Sequence, residues 1–138
     1  MPYTTLFRSG LLGLGVRAVR LGQPVKVREN LRLATVDAQM ENHPLRRDLG
    51  EHLELNDKLA RRISGMKGKE KGLAHRELNR GWKEVRRIEG QMRDDILNRA
   101  QVLCCTCIGA GHVLLDGRRF SRVLLDEATQ ATDRKSVG

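Results

Sequence analysis

The sequence predicts an α/β fold, a parallel sheet interrupted by an inserted pair of antiparallel helices. Three observations predict it. A short apolar run, Val123-Leu124-Leu125, is closed by Asp126-Glu127. Two further segments, Gly15–Leu21 and the stretch leading to Thr106, have strand character. Between them, residues 45–99 carry leucines and isoleucines at heptad spacing among many charges. An apolar run of that length suits a buried strand, and acids at its end emerge at the carboxyl edge, where open α/β sheets place their ligands.

Taken in chain order, the first element is the short strand candidate Gly15–Leu21, with Val16, Val19 and Leu21 apolar among arginines. Pro24 follows and suits the first turn of a helix, because its φ is already helical. That helix is expected over Val25–Asn42, with Val27, Leu31, Ala34 and Ala38 near one face. Pro44 ends it, since the residue before proline is disfavoured in helical geometry.

From Leu45 the pattern changes. Leu45, Leu49, Leu59 and Ile63 fall on one heptad seam, interrupted by His52 and Asn56. Leu78, Trp82, Val85, Met92 and Ile96 fall on a second, with Glu89 as the exception. Between the seams lies Gly65-Met66-Lys67-Gly68-Lys69-Glu70-Lys71-Gly72, where three glycines among three lysines favour a basic, solvated turn. Two antiparallel helices joined by that tip are expected, with Trp82 as a core anchor rather than a base-stacking platform. His43, His52 and His75 have no metal-ligand spacing and are read as surface or seam residues.

After the helices, a strand is expected to end at Thr106 and to be followed by Ile108-Gly109-Ala110-Gly111. A hydroxyl and two glycines in a loop let a backbone come close to phosphates, so Thr106, Gly109 and Gly111 are the candidate nucleic-acid contacts. Cys104, Cys105 and Cys107 sit within four residues of one another. No second Cys/His pair stands at zinc spacing, and reduced, buried thiols are expected.

The final motif, Val123-Leu124-Leu125-Asp126-Glu127-Ala128-Thr129-Gln130-Ala131-Thr132, carries the candidate chemistry. Two adjacent carboxylates after a strand suit a nucleoside triphosphate: Asp126 to hold Mg²⁺, and Glu127 to orient or deprotonate the attacking water. Gln130, four residues after Asp126, could bond the terminal phosphate, the water or a neighbouring segment, or simply cap a helix. The cofactors implied are a nucleoside triphosphate and Mg²⁺.

Composition limits the alternatives. The formal charge is +9, from 26 basic and 17 acidic residues, and a surplus of that size fits a polyanionic partner as well as a solvated helical surface. Val102–Leu115, the longest mostly apolar stretch, contains His112 and falls short of the ~20 residues that span a bilayer. Leu11–Val19 is broken by Arg17 too early to serve as a signal core. No membrane partner is expected, and the location expected is cytoplasmic, or nuclear.

The decapeptide 123–132 resembles motif II of superfamily 1 helicases, in the group of the up-frameshift RNA helicase of nonsense-mediated decay. Ala100–Gly111 looks like the strand and loop that precede that motif in the same group, and Val19-Arg20-Leu21-Gly22 looks like the strand before its helical insertion. The resemblance implies a RecA-like, P-loop NTPase domain, with residues 10–44 and 100–132 as parts of the first motor domain and 45–99 as an inserted helical stalk. It implies that Glu127 and Gln130 are catalytic, that Gln130 couples nucleotide state to the nucleic-acid channel, and that Asp126 holds Mg²⁺ through the nucleotide. It also implies that the loop of Thr106, Gly109 and Gly111 lies along that channel. Single-stranded RNA or DNA is the implied partner, with regulatory proteins reached through the stalk.

Residues 1–9 and 133–138 do not fit the resemblance and read as translated adapter sequence or disordered termini. The phosphate-cradling G-x-x-x-x-G-K-[ST] occurs nowhere in the chain, and Gly65-Met66-Lys67-Gly68-Lys69 has its letters without its spacing. An internal piece of the first motor domain, itself inactive toward ATP, is therefore expected. The competing expectation is a non-catalytic basic coiled-coil module that binds nucleic acid or a partner helix.

Overall fold

The computed structural model describes residues 13–22, 32–106 and 109–125. It divides into two compact units, Met1–Ala38 with Arg99–Gly138, and Gln39–Asn98.

The first unit is built on two parallel strands, β1 (Ala18–Arg20) and β2 (Val102–Cys104), in the register Ala18↔Val102, Val19↔Leu103, Arg20↔Cys104. Ala18, Val19 and Leu21 are all buried. Consecutive burial, rather than alternation, marks a strand covered on both faces, the usual state of parallel sheets. On its other side β1 meets Thr35 in a parallel bridge, and the Arg20 amide donates to the Ala34 carbonyl at 2.8 Å.

Arg17 fixes where the two strands meet. Its carbonyl accepts from the amides of Gln101 (2.8 Å) and Val102 (3.2 Å). Its own amide donates to Gln101 Oε1 at 3.0 Å, and its Nε to the Arg99 carbonyl at 3.0 Å. Four bonds across more than eighty residues of sequence set a register that no local propensity could specify.

Helix α1 spans Val36–Glu41. Thr35 caps it: the hydroxyl accepts from the Ala38 amide at 3.2 Å while donating to the Arg32 carbonyl at 2.7 Å. The expected continuous helix Val25–Asn42 is therefore corrected over its described part. Thr35 spends its backbone on β1 and its side chain on a cap, so the helix starts at Val36; residues 23–31 lie outside the described residues.

The second unit contains α2 (Arg46–Ile63) and α3 (Gly68–Arg99). Asp48 in the first turn of α2 and Arg61 and Arg62 in its last complement the helix dipole. The buried residues of α2 are Leu49, Asn56 and Ile63, spaced by seven, and those of α3 include Ala74, Val85, Ile88, Met92 and Ile96. His43 Nε2 lies 2.9 Å from Asp95 Oδ2, and Asn56 packs against Gly81, so position falls along α3 as it rises along α2.

The seam of α3 differs from the expected one. It runs through Gly81 and Ile88 rather than Trp82 and Glu89: Ile88 is buried while Glu89 is half-buried, and of the half-buried neighbours Gly81 and Trp82 it is Gly81 that lies against Asn56. This row is spaced 4, 3, 4, 3, 4 from Ala74 to Met92 and contains no charged residue, which removes the Glu89 exception. Trp82 is thereby displaced from the core anchor position.

Gly81 has a specific packing reason. A Cβ there would collide with Asn56 Oδ1 and stand 2.8 Å from Asn56 Cγ. Only glycine lets the Asn56 amide lie directly on the α3 backbone. Asn56 is 5% exposed, and its Nδ2 has no hydrogen-bond partner among the described residues.

The turn between the helices is also shorter than expected. Residues 64–67 make it, and Gly68, Lys69, Lys71 and Gly72 belong to α3.

Candidate functional site

β2 delivers the loop that the sequence singles out. In a parallel pair both strands point their carboxyl ends to the same edge, so Leu21-Gly22 and Cys105-Thr106 leave the sheet side by side; the Leu21 amide donates to the Cys104 carbonyl at 2.9 Å. This is the edge at which α/β sheets build ligand sites.

Beyond β2 the chain makes two 3₁₀ turns, Gly109–Gly111 and Val113–Leu115. Thr106 organises the first. Its hydroxyl accepts from the Gly109 amide at 3.0 Å, and its carbonyl accepts from the Ala110 amide at 2.9 Å. A Cβ at Gly109 would stand 3.2 Å from both Cys105 Cβ and Thr106 Oγ1, tight enough to disturb that bond. Thr106 and Gly111 are exposed, and Gly109 is half-buried.

The three loop residues predicted from sequence thus stand together on one exposed turn. Their internal bonds change what the turn can offer. The amides of Gly109 and Ala110 are already committed to Thr106, and the Thr106 hydroxyl hydrogen is a donor that the turn can offer an incoming oxygen.

Sequence reasoning missed His112. Its Nδ1 accepts from the Leu114 amide at 3.2 Å and holds the second turn, where Arg118 Nε also donates to the Leu114 carbonyl at 3.0 Å. A histidine at the start of a turn with its acceptor nitrogen two residues from the amide is the only local signal for it. Arg119 and Arg122, farther along, are exposed.

Asp126, Glu127 and Gln130 lie outside the described residues, as do Cys107 and Ile108. The run before the acids is described, and it corrects an expectation. Val123, Leu124 and Leu125 form no strand and are 66%, 82% and 40% exposed. The described sheet consists of β1 and β2 alone. Without a neighbouring strand to take its amides and carbonyls, an apolar run has no ladder to join.

The thiols differ as well. Cys104 and Cys105 are in no disulfide and are half-buried rather than buried, because β2 is only partly covered. Among the described residues no group of three His, Cys, Asp or Glu is arranged to hold a metal ion, and no helix is long and apolar enough to cross a membrane.

Outside the loop, the electrostatics are dominated by one exposed pair on α3. Arg87 grips Glu84 through Nε and Nη2, at 3.0 and 2.6 Å. That hydrogen bond holds the Glu84 carboxyl below the usual carboxylate range, with the Arg87 and His52 charges adding to it. The same partner raises Arg87.

Comparison with known proteins gives this geometry its context. The family model described as the AAA domain matches residues 5–137. The chain is 35% identical over 126 residues to the ATP-dependent helicase NAM7 of Saccharomyces cerevisiae, a match that covers 89% of the chain and 11% of the relative. It is 41% identical over 51 residues to the regulator of nonsense transcripts 1 homolog of Neurospora crassa, covering 37% of the chain and 5% of the relative. To the DNA polymerase alpha-associated DNA helicase A of Schizosaccharomyces pombe it is 27% identical over 122 residues, covering 86% of the chain and 18% of the relative. The chain therefore spans a small part of the length of the curated relatives it matches. It belongs to the AAA-domain family, in the group of superfamily 1 helicases that includes the regulators of nonsense transcripts.

Proposed function

We propose that this chain is part of the first, RecA-like motor domain of an ATP-dependent helicase that moves along single-stranded RNA or DNA. The observation that supports this most is the family match across residues 5–137, which contains the Asp126-Glu127 pair and the Thr106 loop in the order the motor requires. The parallel pairing of β1 with β2 agrees with it, since a nucleotide-hydrolysing α/β domain is built on parallel strands.

In this reading Asp126 holds Mg²⁺ and Glu127 positions the hydrolytic water. Two hard carboxylate oxygens are the donor chemistry that Mg²⁺ prefers, and the ion supplies charge neutralisation for the triphosphate. Gln130 links nucleotide state to the nucleic-acid channel. Thr106 contacts a phosphate through its hydroxyl, with Gly109 and Gly111 keeping the turn low enough for the strand to approach. Residues 45–99 form a helical stalk inserted in the motor domain and open to regulatory protein partners. A cytoplasmic or nuclear location accompanies this work.

The 138-residue chain alone is proposed to be inactive, because Asp126 and Glu127 lack a phosphate-cradling loop within it. The test is made with the protein encoded by the complete reading frame. Glu127→Gln should retain nucleotide binding and lose nucleic-acid-stimulated ATP hydrolysis by at least ~100-fold, a typical loss for a group that orients the reacting water. Full hydrolysis by that variant, or a reading frame without G-x-x-x-x-G-K-[ST], refutes the helicase assignment. Turnover by the isolated chain that Glu127→Gln abolishes refutes its inactivity.

A further inference from the structure

The cations of the second unit are distributed unevenly. Away from the turn, Arg80, Lys83 and Arg86 of α3 also stand without an ion pair among the described residues, but the other cations are paired: Arg46 with Glu41, Arg47 with Glu51, Lys58 with Glu54, Arg87 with Glu84, Arg93 with Glu89. Around the turn they are not. Arg61, Arg62, Lys67, Lys69, Lys71 and Arg76 are all exposed, and none forms an ion pair among the described residues. Residues 61–76 hold six Lys and Arg against a single acid, Glu70, a net of +5 within a chain of +9.

Local helix physics does not explain this. Arg61 and Arg62 suit the carboxyl end of α2, but Lys69 and Lys71 stand in the first turn of α3, where the helix dipole favours acids and disfavours cations. Lys69, Leu73 and Arg76, at i, i+4 and i+7, share one face, and Leu73 between the cations is 63% exposed. The charge is thus concentrated, unneutralised and partly placed against its own helix.

We infer that the α2–α3 tip is a second nucleic-acid contact, binding the phosphate backbone without reading its sequence. The chemistry favours a polyphosphate over a protein. Stable protein interfaces bury an apolar and aromatic centre of roughly 800 Å² on each partner. The tip offers Leu73 and no aromatic residue, so nearly all of its binding energy must come from charge. Phosphate contact needs only exposed cations, and it releases counterions whatever the base sequence. The inference concerns charge on α2 and α3 alone and does not rest on the nucleotide chemistry of Asp126 and Glu127.

The test is fluorescence anisotropy with a labelled single-stranded oligouridylate over a range of salt concentrations. The full chain is compared with a tip variant (Lys67→Gln, Lys69→Gln, Lys71→Gln) and a control variant that removes three cations elsewhere on α3 (Arg80→Gln, Lys83→Gln, Arg86→Gln). The tip variant should bind at least about tenfold more weakly at ~100 mM salt, and the slope of log affinity against log salt should fall by roughly 2, since each phosphate contact on a single strand contributes ~0.7. The control should lose less than about threefold. The charge-preserving variant Lys67→Arg, Lys69→Arg, Lys71→Arg should bind as the parent does, which separates charge from folding. Equal losses in the tip and control variants overturn the proposal, as does an unchanged tip variant or an acidic polypeptide that competes as well as the oligonucleotide. A Thr106→Ala change with an intact tip reports on the loop alone, so failure of one surface is distinguishable from failure of the other.

Discussion

Replacing Gly81 by alanine sets two physical effects against each other, and their sum has a definite sign. In the interior of an exposed helix, Gly→Ala stabilises by about 1 kcal/mol through backbone entropy. At Gly81 the new methyl would overlap Asn56 Oδ1 and approach Asn56 Cγ to 2.8 Å and Nδ2 to 3.1 Å. Asn56 is buried, so its amide cannot swing into solvent, and overpacking of this kind costs about 1–3 kcal/mol. Gly81→Ala should therefore destabilise the second unit by up to ~2 kcal/mol net, with the packing cost exceeding the helical gain.

Two controls isolate the cause. A Cβ at Gly72 or Gly90, also on α3, meets nothing within 4 Å, so either alanine there should stabilise by about 0.5–1 kcal/mol. In an Asn56→Ala background the obstruction is gone, and Gly81→Ala should then stabilise by about 1 kcal/mol, a reversal that a double-mutant cycle reads as coupling of about 1–3 kcal/mol, the packing cost itself. Urea unfolding followed by far-ultraviolet circular dichroism measures the parent and each of these variants. Stabilisation by Gly81→Ala in the parent background would refute the proposed contact between Asn56 and the α3 backbone.

Two further perturbations probe the same unit. Met92 is fully buried at 0% exposure, so Met92→Ala should cost about 2–5 kcal/mol in the same urea assay, whereas Leu73→Ala, at an exposed site, should stay within about 0.5 kcal/mol. The Glu84 carboxyl is held low by Arg87, so any stability it contributes is present above the ordinary carboxylate range and is lost as pH falls through its lowered titration point. A proton-detected titration of the Glu84 side chain should show that depressed midpoint, and Arg87→Ala should return it toward the ordinary value; an unchanged midpoint would contradict the pairing.

Much of the local structure was legible in the residues themselves. Ala18 to Leu21 announced β1 because three apolar residues in four, followed by Gly22, leave few other buried conformations. The heptad leucines and isoleucines announced α2 and α3. The loop at Thr106 was legible because a threonine followed by glycines three and five residues on closes its own turn through side-chain and backbone oxygens. The seam of α3 was misassigned by one step. Trp82 and Gly81 are neighbours, and pattern reading favours the larger apolar residue, while the packing favoured the position with no side chain because Asn56 had to be accommodated opposite it.

The run Val123–Leu125 shows the converse. Its composition is that of a buried strand, yet a strand is defined by a partner, and the described sheet provides none beside it.

What the amino-acid sequence determined alone is therefore whatever depends on neighbours a few residues apart: the helical character of α2 and α3, the cation-rich segment between them, and the short turn after β2. Only the tertiary structure decided the pairing of Ala18 with Val102, the bridge at Thr35 that shortened α1, the contact of His43 with Asp95, and the meeting of Asn56 with Gly81. Those contacts join residues from 15 to 84 positions apart. Their energies depend on chain segments meeting in space, and a one-step shift in register, invisible to composition, changes which side chains meet.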